Sequence, residues 1–420
     1  MLLAREMSPM CAAIGGVTSG AGSVDGWRGD DRSGGADPDM VQTDPGMVQA
    51  DPGMVQLLSP DGRLADDHPY ASHLAALRPD DLRGLYRDMV LVRRFDAEAV
   101  ALQRQGELGL WASCLGQEAA QVGSGRALRR QDFAFPGYRD HGVAWARGVD
   151  PVALMCHLRG TDHGGWDPRE HNFHLYTLVV GAQTLHATGY AIGVRQDGAC
   201  GSGDAARDEA VIVYFGDGAT SEGDVSESLV FAAVNRAPLV FFCQNNQWAI
   251  SAPVTRQSRV PLSRRGEGFG VPGVRVDGND VLACYAVTRA ALDDARAGRG
   301  PRLIEAFTYR LAPHTTSDDP RRYRDAGEAE AWRARDPITR LRLFLERQGL
   351  MGQDYLDETD RLAEELAARV RRDARALAPP PFESLFDLAY ATPHSLVAEE
   401  RAHWAAFEAS SPAVGAGGVR

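Results

Sequence analysis

Two short motifs carry residue types that can hold a metal-bound phosphate. Gly216–Asp217–Gly218 and Asn245–Asn246 are separated by 26 residues. The glycines let the backbone turn tightly against a phosphate, Asp217 offers an anionic oxygen, and an asparagine amide offers a neutral one. With one backbone carbonyl added, the octahedral shell of Mg²⁺ still has room for two phosphate oxygens and a water. The two motifs therefore predict a site for a magnesium-bound phosphate.

Each motif follows an apolar segment typical of a buried strand. AVIVYF (210–215) precedes the first motif and PLVFFC (238–243) precedes the second, with a helical segment from 221 to 235 between them. A third strand, RLIEAFTYR (302–310), follows a helical stretch at 281–297. This alternation predicts an α/β fold with a parallel sheet and helices on both faces. Since ligands bind beyond the carboxyl ends of such strands, both motifs should line one crevice.

The two ends of the chain differ in composition from its centre. Residues 1–57 are rich in acids and glycine and contain a seven-residue tandem repeat. Its three copies are DPDMVQT (37–43), DPGMVQA (44–50) and DPGMVQL (51–57). A short repeat with proline in every copy cannot build a core, so we predict a disordered extension, with a docking tail as the alternative. We place the folded domain at 58–400, beginning with a helix near Pro79, and a C-terminal tail at 401–420.

Composition excludes several classes of function. The formal net charge of −12 argues against a general affinity for nucleic acid or anionic membrane, and no apolar run is long enough to cross a bilayer. The chain contains no lysine, which excludes pyridoxal phosphate chemistry and a Walker A loop. Six scattered cysteines without CxxC spacing indicate reduced thiols, and we expect a cytoplasmic protein.

The motifs as a set resemble those of a known enzyme family. GDG and NN in this order are similar to the thiamine diphosphate signature, and GDGATSEGD with FFCQNNQWAIS resembles the alpha subunits of 2-oxo acid dehydrogenases. The resemblance covers roughly residues 75–400 and implies the thiamine-diphosphate-binding fold. The further matching segments are GQEAAQVG (116–123), FPGYRDHG (135–142), VVGAQ (179–183), VDGNDV (276–281) and HTTSDDPRRYR (314–324).

The resemblance assigns roles to individual residues. It implies that Asp217, Asn246 and the carbonyl of Trp248 bind Mg²⁺, and that Tyr138 and Arg139 contact the diphosphate. His314 corresponds to a loop histidine over the thiazolium, where it would serve as a proton donor or electrostatic aid in acyl transfer. The other positions that the resemblance places around the cofactor are Gly218, Ala219, Glu222, Gln244 and the backbone from Leu178 to Val180.

The resemblance also implies an activity and partners. The activity is decarboxylation of a 2-oxo acid, followed by acyl transfer to the lipoyl group of an acyltransferase component. The glutamate that faces the aminopyrimidine belongs to a beta subunit in this family, which implies an α2β2 heterotetramer. Branched-chain members use a threonine to help hold K⁺, and Ala182 at that position argues against this ion.

The substrate has two candidates at this stage. TSDD, SEGD and VDGNDV favour branched-chain 2-oxo acids, whereas VVGAQ and Asp217 also suit pyruvate. An acetoin-cleaving relative or a self-contained thiamine decarboxylase is a further alternative. From a different class, a nucleotide-binding regulatory protein could keep the crevice without catalysis.

Overall fold

A five-stranded parallel sheet forms the centre of the molecule. The computed structural model describes residues 53–65, 67–387 and 390–410. The strands lie in the order β1-β2-β3-β7-β6, and each neighbouring pair is parallel. Their bounds are β1 Phe133–Phe135, β2 Val211–Gly216, β3 Leu239–Asn245, β6 Gly273–Asp277 and β7 Arg302–Phe307, while β4 Trp248–Ala249 and β5 Ala252–Pro253 form a separate antiparallel hairpin. The predicted fold class is confirmed.

Thirteen α-helices accompany the strands within the described residues. They are α1 Pro79–Arg104, α2 Glu118–Ala127, α3 His141–Ala146, α4 Pro151–Arg159, α5 Pro168–His171, α6 Ala182–Gln196, α7 Gly223–Val234, α8 Val281–Arg296, α9 Ala326–Arg333, α10 Pro337–Arg347, α11 Gln353–Ala376, α12 Ser384–Asp387 and α13 Ser395–Ser410. Short 3₁₀ turns lie at Pro69–Leu74, Asp217–Ser221, Val254–Arg256, Leu262–Phe269 and Pro320–Arg322. In the part of the chain that the structure describes, no helix is both long and apolar enough to span a membrane.

The central strands β2 and β3 are buried on both faces, so each carries a run of consecutive apolar residues, whereas β7 includes the buried Glu305. Alternate residues of one strand enter two different cores, because successive side chains of a strand point to opposite sides. Ile212 and Tyr214 pack with α1, α8 and α11 residues, whereas Val211 and Val213 pack with α6 and α7 residues. Helices therefore cover both faces, as predicted. The edge strands β1 and β6 were not predicted; β1 has only three residues, and β6 is partly exposed.

The folded domain begins before Leu58, which corrects the predicted boundary. Val55 pairs with Val276 at the β6 edge, and its backbone N–H donates to the Arg275 carbonyl at 2.9 Å. Val55 and Leu57 are buried, at 7% and 1% exposure. The last residues of the third repeat copy therefore join the core beside β6 through an isolated parallel β-bridge. The first two copies lie outside the described residues.

The predicted C-terminal boundary also requires correction. Helix α13 continues through position 401 to Ser410, so the first half of the segment assigned as a tail is helical. Leu396, Trp404 and Phe407 on this helix are exposed. Residues 411–420 lie outside the described part of the chain.

Candidate active site

The carboxyl ends of β2, β3 and β7 bring the two sequence motifs to the same edge of the sheet. Gly216 at the end of β2 pairs with Gln244 of β3, and Asn245 pairs with Phe307 at the end of β7. Asp217 therefore begins its 3₁₀ turn beside the Asn245–Asn246 pair. The GDG and NN motifs, predicted to line one crevice, therefore lie at the same edge of the sheet.

Asp217 is a buried carboxylate with a single side-chain donor. Its exposure is 1%, and its Oδ2 accepts a hydrogen bond from Gln257 Nε2 at 3.0 Å. Burial raises the pKa of Asp217 to about 6, against the lowering effect of the Gln257 bond. A divalent cation at this carboxylate would favour its ionised form.

Asn246 and Trp248 lie on a sharp bend directly after β3. Gln247 between them has φ of 72°, in the left-handed region. The Trp248 N–H donates to Asn246 Oδ1 at 3.3 Å, and the Trp248 carbonyl accepts from Arg310 Nη1 at 2.7 Å. A carbonyl oxygen has two lone pairs, so each of these oxygens can still accept a ligand. The bend thus brings together an amide oxygen and a backbone oxygen.

This set of oxygens fits Mg²⁺ held jointly with a phosphate. Asp217, Asn246 and the Trp248 carbonyl offer hard oxygen ligands of the kind this ion prefers. The described residues contain no group of three or more His, Cys, Asp or Glu side chains that could hold a metal. These three protein oxygens leave half of an octahedral shell for phosphate oxygens and water. Gln117, which accepts from Asn246 Nδ2 at 3.2 Å, also has a buried Nε2 with no protein partner.

Arg139 and His314 meet directly on the next side of the crevice. Arg139 Nη2 approaches His314 Nδ1 at 3.2 Å and donates to the His314 carbonyl at 2.7 Å. A guanidinium can only donate, so Nδ1 accepts and the imidazole carries its proton on Nε2. Burial lowers the pKa of His314 to about 4, with Arg139 and Arg310 acting in the same direction. His314 is therefore neutral at pH 7, with Nε2–H available as a donor.

Tyr138 adds an aromatic wall to this pair. Its ring lies edge-on to the His314 ring, with centroids 6.2 Å apart, and the Arg139 guanidinium carbon lies 5.6 Å from the Tyr138 ring centroid. The Tyr138–Arg139 pair and His314, distant in sequence, are thereby gathered on one wall.

The remaining predicted residues occupy three different environments. Gln244 is buried away from solvent, where it donates to Asp140 and accepts from Gln121 Nε2 at 3.0 Å. Ala219 is buried behind the GDG turn, and a Cβ added at Gly218 would lie 2.9 Å from Ala249 Cβ. Glu222 is exposed at the start of α7. Leu178 and Val180 are 49% and 43% exposed on the segment preceding α6.

Arg310 is a site residue that the sequence reasoning missed. It is completely buried and donates to the carbonyls of Trp248 and Ile250, at 2.7 and 2.8 Å. Its Nη1 also lies 3.4 Å from His314 Nδ1. Burial lowers the pKa of Arg310 to about 10, and the neighbouring Arg139 contributes to this. Two buried guanidinium groups beside one crevice indicate an anionic ligand. The sequence feature that could have revealed Arg310 is its position as the last residue of the predicted strand RLIEAFTYR (302–310).

Comparison with known proteins gives the family. A family profile described as "Dehydrogenase E1 component" matches residues 86–379. The chain belongs to the dehydrogenase E1 component family. It is 48% identical over 317 residues to the 3-methyl-2-oxobutanoate dehydrogenase subunit alpha of Mycobacterium tuberculosis (strain H37Rv), covering 75% of this chain and 82% of that protein. It is 39% identical over 284 residues to the pyruvate dehydrogenase E1 component subunit alpha of Staphylococcus aureus (strain N315), covering 67% of this chain and 75% of that protein.

The family assignment confirms the resemblance derived from the motifs. The profile spans the GDG and NN motifs as well as the Arg139–His314 pair, so the crevice described above lies inside the matched E1 region. Both relatives are named as alpha subunits.

Proposed function

We propose that this chain is the alpha subunit of a thiamine-diphosphate-dependent enzyme that oxidatively decarboxylates a branched-chain 2-oxo acid and transfers the acyl group to a lipoyl acceptor. The observation that carries the proposal is the single crevice in which the oxygens of Asp217, Asn246 and Trp248 lie with the Arg139–His314 pair. This crevice lies within an E1 dehydrogenase chain.

The proposed cofactor is thiamine diphosphate with Mg²⁺. Asp217, Asn246 and the Trp248 carbonyl would bind the ion, and Arg139 with Tyr138 would bind the diphosphate. A planar guanidinium suits phosphate oxygens, and the buried Arg310 nearby adds positive charge. When bound, the cofactor supplies the electron sink for decarboxylation. We propose no potassium ion, because Ala182 has no side-chain oxygen.

His314 would act as a neutral donor toward the reacting acyl group. Its Nδ1 is committed to Arg139, so Nε2–H is the proton that can be directed into the crevice. Burial, together with the guanidinium groups of Arg139 and Arg310, keeps the pKa of His314 low. The ring can thus donate a hydrogen bond at neutral pH without itself being cationic.

The proposed partner is a beta subunit, in an α2β2 assembly that docks an acyltransferase component. Among the described residues we assign no glutamate to the aminopyrimidine of the cofactor. Leu178, Val179 and Val180 also leave large apolar side chains exposed, at 49%, 69% and 43%. Exposed apolar residues in a cluster mark an interaction site, and a beta subunit that covers them would also supply the missing acid.

The substrate proposal rests on relative similarity. Identity is 48% to the 3-methyl-2-oxobutanoate dehydrogenase subunit and 39% to the pyruvate dehydrogenase subunit. We therefore favour 3-methyl-2-oxobutanoate, with pyruvate as the second candidate because of the VVGAQ segment.

The decisive experiment is a substrate panel on the co-expressed alpha and beta chains. We expect CO₂ release with thiamine diphosphate and Mg²⁺, and a kcat/KM for 3-methyl-2-oxobutanoate at least about tenfold above that for pyruvate. The isolated alpha chain should release none. The reverse substrate order would contradict the branched-chain assignment, and steady turnover by the alpha chain alone would contradict the two-chain site.

A further inference from the structure

Residues 111–114 form an irregular segment beside the candidate active site. This segment forms hydrogen bonds with Arg139 and with the loop that carries His314. The Ser113 carbonyl accepts from Arg139 Nη1 at 2.6 Å. Trp111 exchanges two hydrogen bonds with Thr316: its N–H donates to Thr316 Oγ1 at 3.1 Å, and its carbonyl accepts from the Thr316 N–H at 2.9 Å. Thr316 lies two residues beyond His314. The 111–114 segment therefore supports both Arg139 and the His314 loop.

This segment has no helix or strand of its own to fix its conformation. A single buried carboxylate, Asp96 of α1, takes up three of its donors. Asp96 Oδ1 accepts from Trp111 Nε1 at 2.7 Å and from the Cys114 N–H at 3.2 Å, while Oδ2 accepts from Ser113 Oγ at 2.5 Å. Asp96 is 3% exposed, so water cannot replace these bonds.

We propose that Asp96 is a positioning residue for the active site, acting through the 111–114 segment on Arg139 and on the loop that carries His314. Asp96 itself forms no hydrogen bond with Arg139 or His314 among the described contacts. The Asp96 carboxylate fixes the backbone conformation of the 111–114 segment. In that conformation the Ser113 carbonyl holds the Arg139 guanidinium, and the Trp111 backbone holds the loop that carries His314. The catalytic consequence rests on the proposed function, whereas the structural coupling does not.

Helix α1 provides a matched control. Asp88, two turns earlier, is 2% exposed and accepts from Trp145 Nε1 at 3.0 Å and from Arg126 Nε at 2.6 Å. It thus shares the burial and the tryptophan donor of Asp96, but it has no bond to the 111–114 segment. Asp88→Ala should destabilise the fold without disturbing the His314 loop.

The test compares hydrogen–deuterium exchange in Asp96→Ala and Asp88→Ala, each in the complex of alpha and beta chains. We expect Asp96→Ala to accelerate exchange at least about tenfold at 111–116 and at 312–319, the effect of losing about 1.4 kcal/mol of local stability. Asp88→Ala should leave 312–319 within about twofold of wild type. If Asp96→Ala fails to assemble, Asp96→Asn keeps an acceptor for Trp111 and should show a smaller acceleration at the same two segments.

The kinetic readout separates positioning from general destabilisation. Asp96→Ala should lower kcat for lipoyl acylation about tenfold or more, with little change in the KM of the 2-oxo acid, and Asp96→Asn should recover part of the loss. Equal exchange at 312–319 in the Asp96 and Asp88 variants, or no change there in either, would overturn the proposal. An inactive wild-type complex would contradict the proposed function and leave the exchange comparison intact.

Discussion

Deleting residues 1–57 should destabilise the domain, because Val55 and Leu57 of this segment are buried in the core. A chain beginning at Leu58 lacks Val55 and Leu57, which are 7% and 1% exposed. It also lacks the Leu57 N–H that donates to Asp280 Oδ2 at 2.7 Å, and the Val55 carbonyl that accepts from the Asp277 N–H at 2.9 Å. The deletion therefore removes both apolar contacts and buried hydrogen bonds.

The magnitude follows from the buried side chains. Burial of a valine or leucine stabilises a protein by about 1.5–3 kcal/mol, so the loss of Val55 and Leu57 should cost about 3–6 kcal/mol. This is an upper estimate, since the unfolded chain already buries part of that surface. A loss of this size is a large share of the net stability of about 5–15 kcal/mol that is usual for a folded protein.

Urea unfolding of the two truncated chains would test this reasoning. A chain beginning at Gly53 retains Val55, Leu57 and their hydrogen bonds, and should unfold at the same urea concentration as the full chain. The chain beginning at Leu58 should unfold at a lower concentration, and Leu57→Ala in the full chain should reproduce part of the shift. Equal stability of the two truncated chains would refute the assignment of Val55 and Leu57 to the core.

Three further predictions concern the site. Asp217→Ala should abolish magnesium-dependent binding of thiamine diphosphate in calorimetry while thermal unfolding stays near wild type, and unchanged affinity would exclude Asp217 as a ligand. His314→Ala should lower flux to the lipoyl acceptor about a hundredfold, the usual size of an acid–base contribution. Decarboxylation by the same variant, measured with an artificial electron acceptor, should fall less. Equal and small losses in both assays would show that His314 is an ordinary loop residue. Burial lowers the pKa of His141 from 6.5 to about 3. Between these two pH values the imidazole of His141 binds a proton in the unfolded chain but not in the native protein. The His141 contribution therefore disfavours the native state increasingly as the pH falls from 6.5 to 3, and over this range the stability of His141→Gln relative to wild type should rise; a difference that does not change with pH would contradict the lowered pKa of His141.

The sequence predicted the strands and motifs whose signals are local. β2 and β3 are apolar runs bounded by glycine or asparagine, and their observed bounds lie within two residues of the predicted ones. The helix predicted at 281–297 is observed as Val281–Arg296. β1 could not be predicted, because three residues carry no periodicity, and the edge strand β6 lacks a continuous buried pattern.

The third repeat copy illustrates the limit of composition. Its proline and glycine favoured disorder, and the second copy contains the same proline and glycine. Only the third copy ends in Leu57 and is followed by Leu58, and the backbone N–H groups of these two residues donate to the buried Asp280, at 2.7 and 2.5 Å. The partner that orders this copy lies more than 200 positions away in the chain, where no local pattern can reveal it.

Sequence by itself indicated the family, the three strands β2, β3 and β7, and the candidate residues for binding magnesium and diphosphate, because these inferences depend on residue type and local spacing. The tertiary structure decided how those residues act on one another. The pairing of Arg139 with His314, the neutral state of that imidazole and the buried Arg310 beside it arise when segments more than 100 residues apart exclude water from a shared crevice. Desolvation and the proximity of charges shift pKa values and select tautomers, and both are properties of the packed fold.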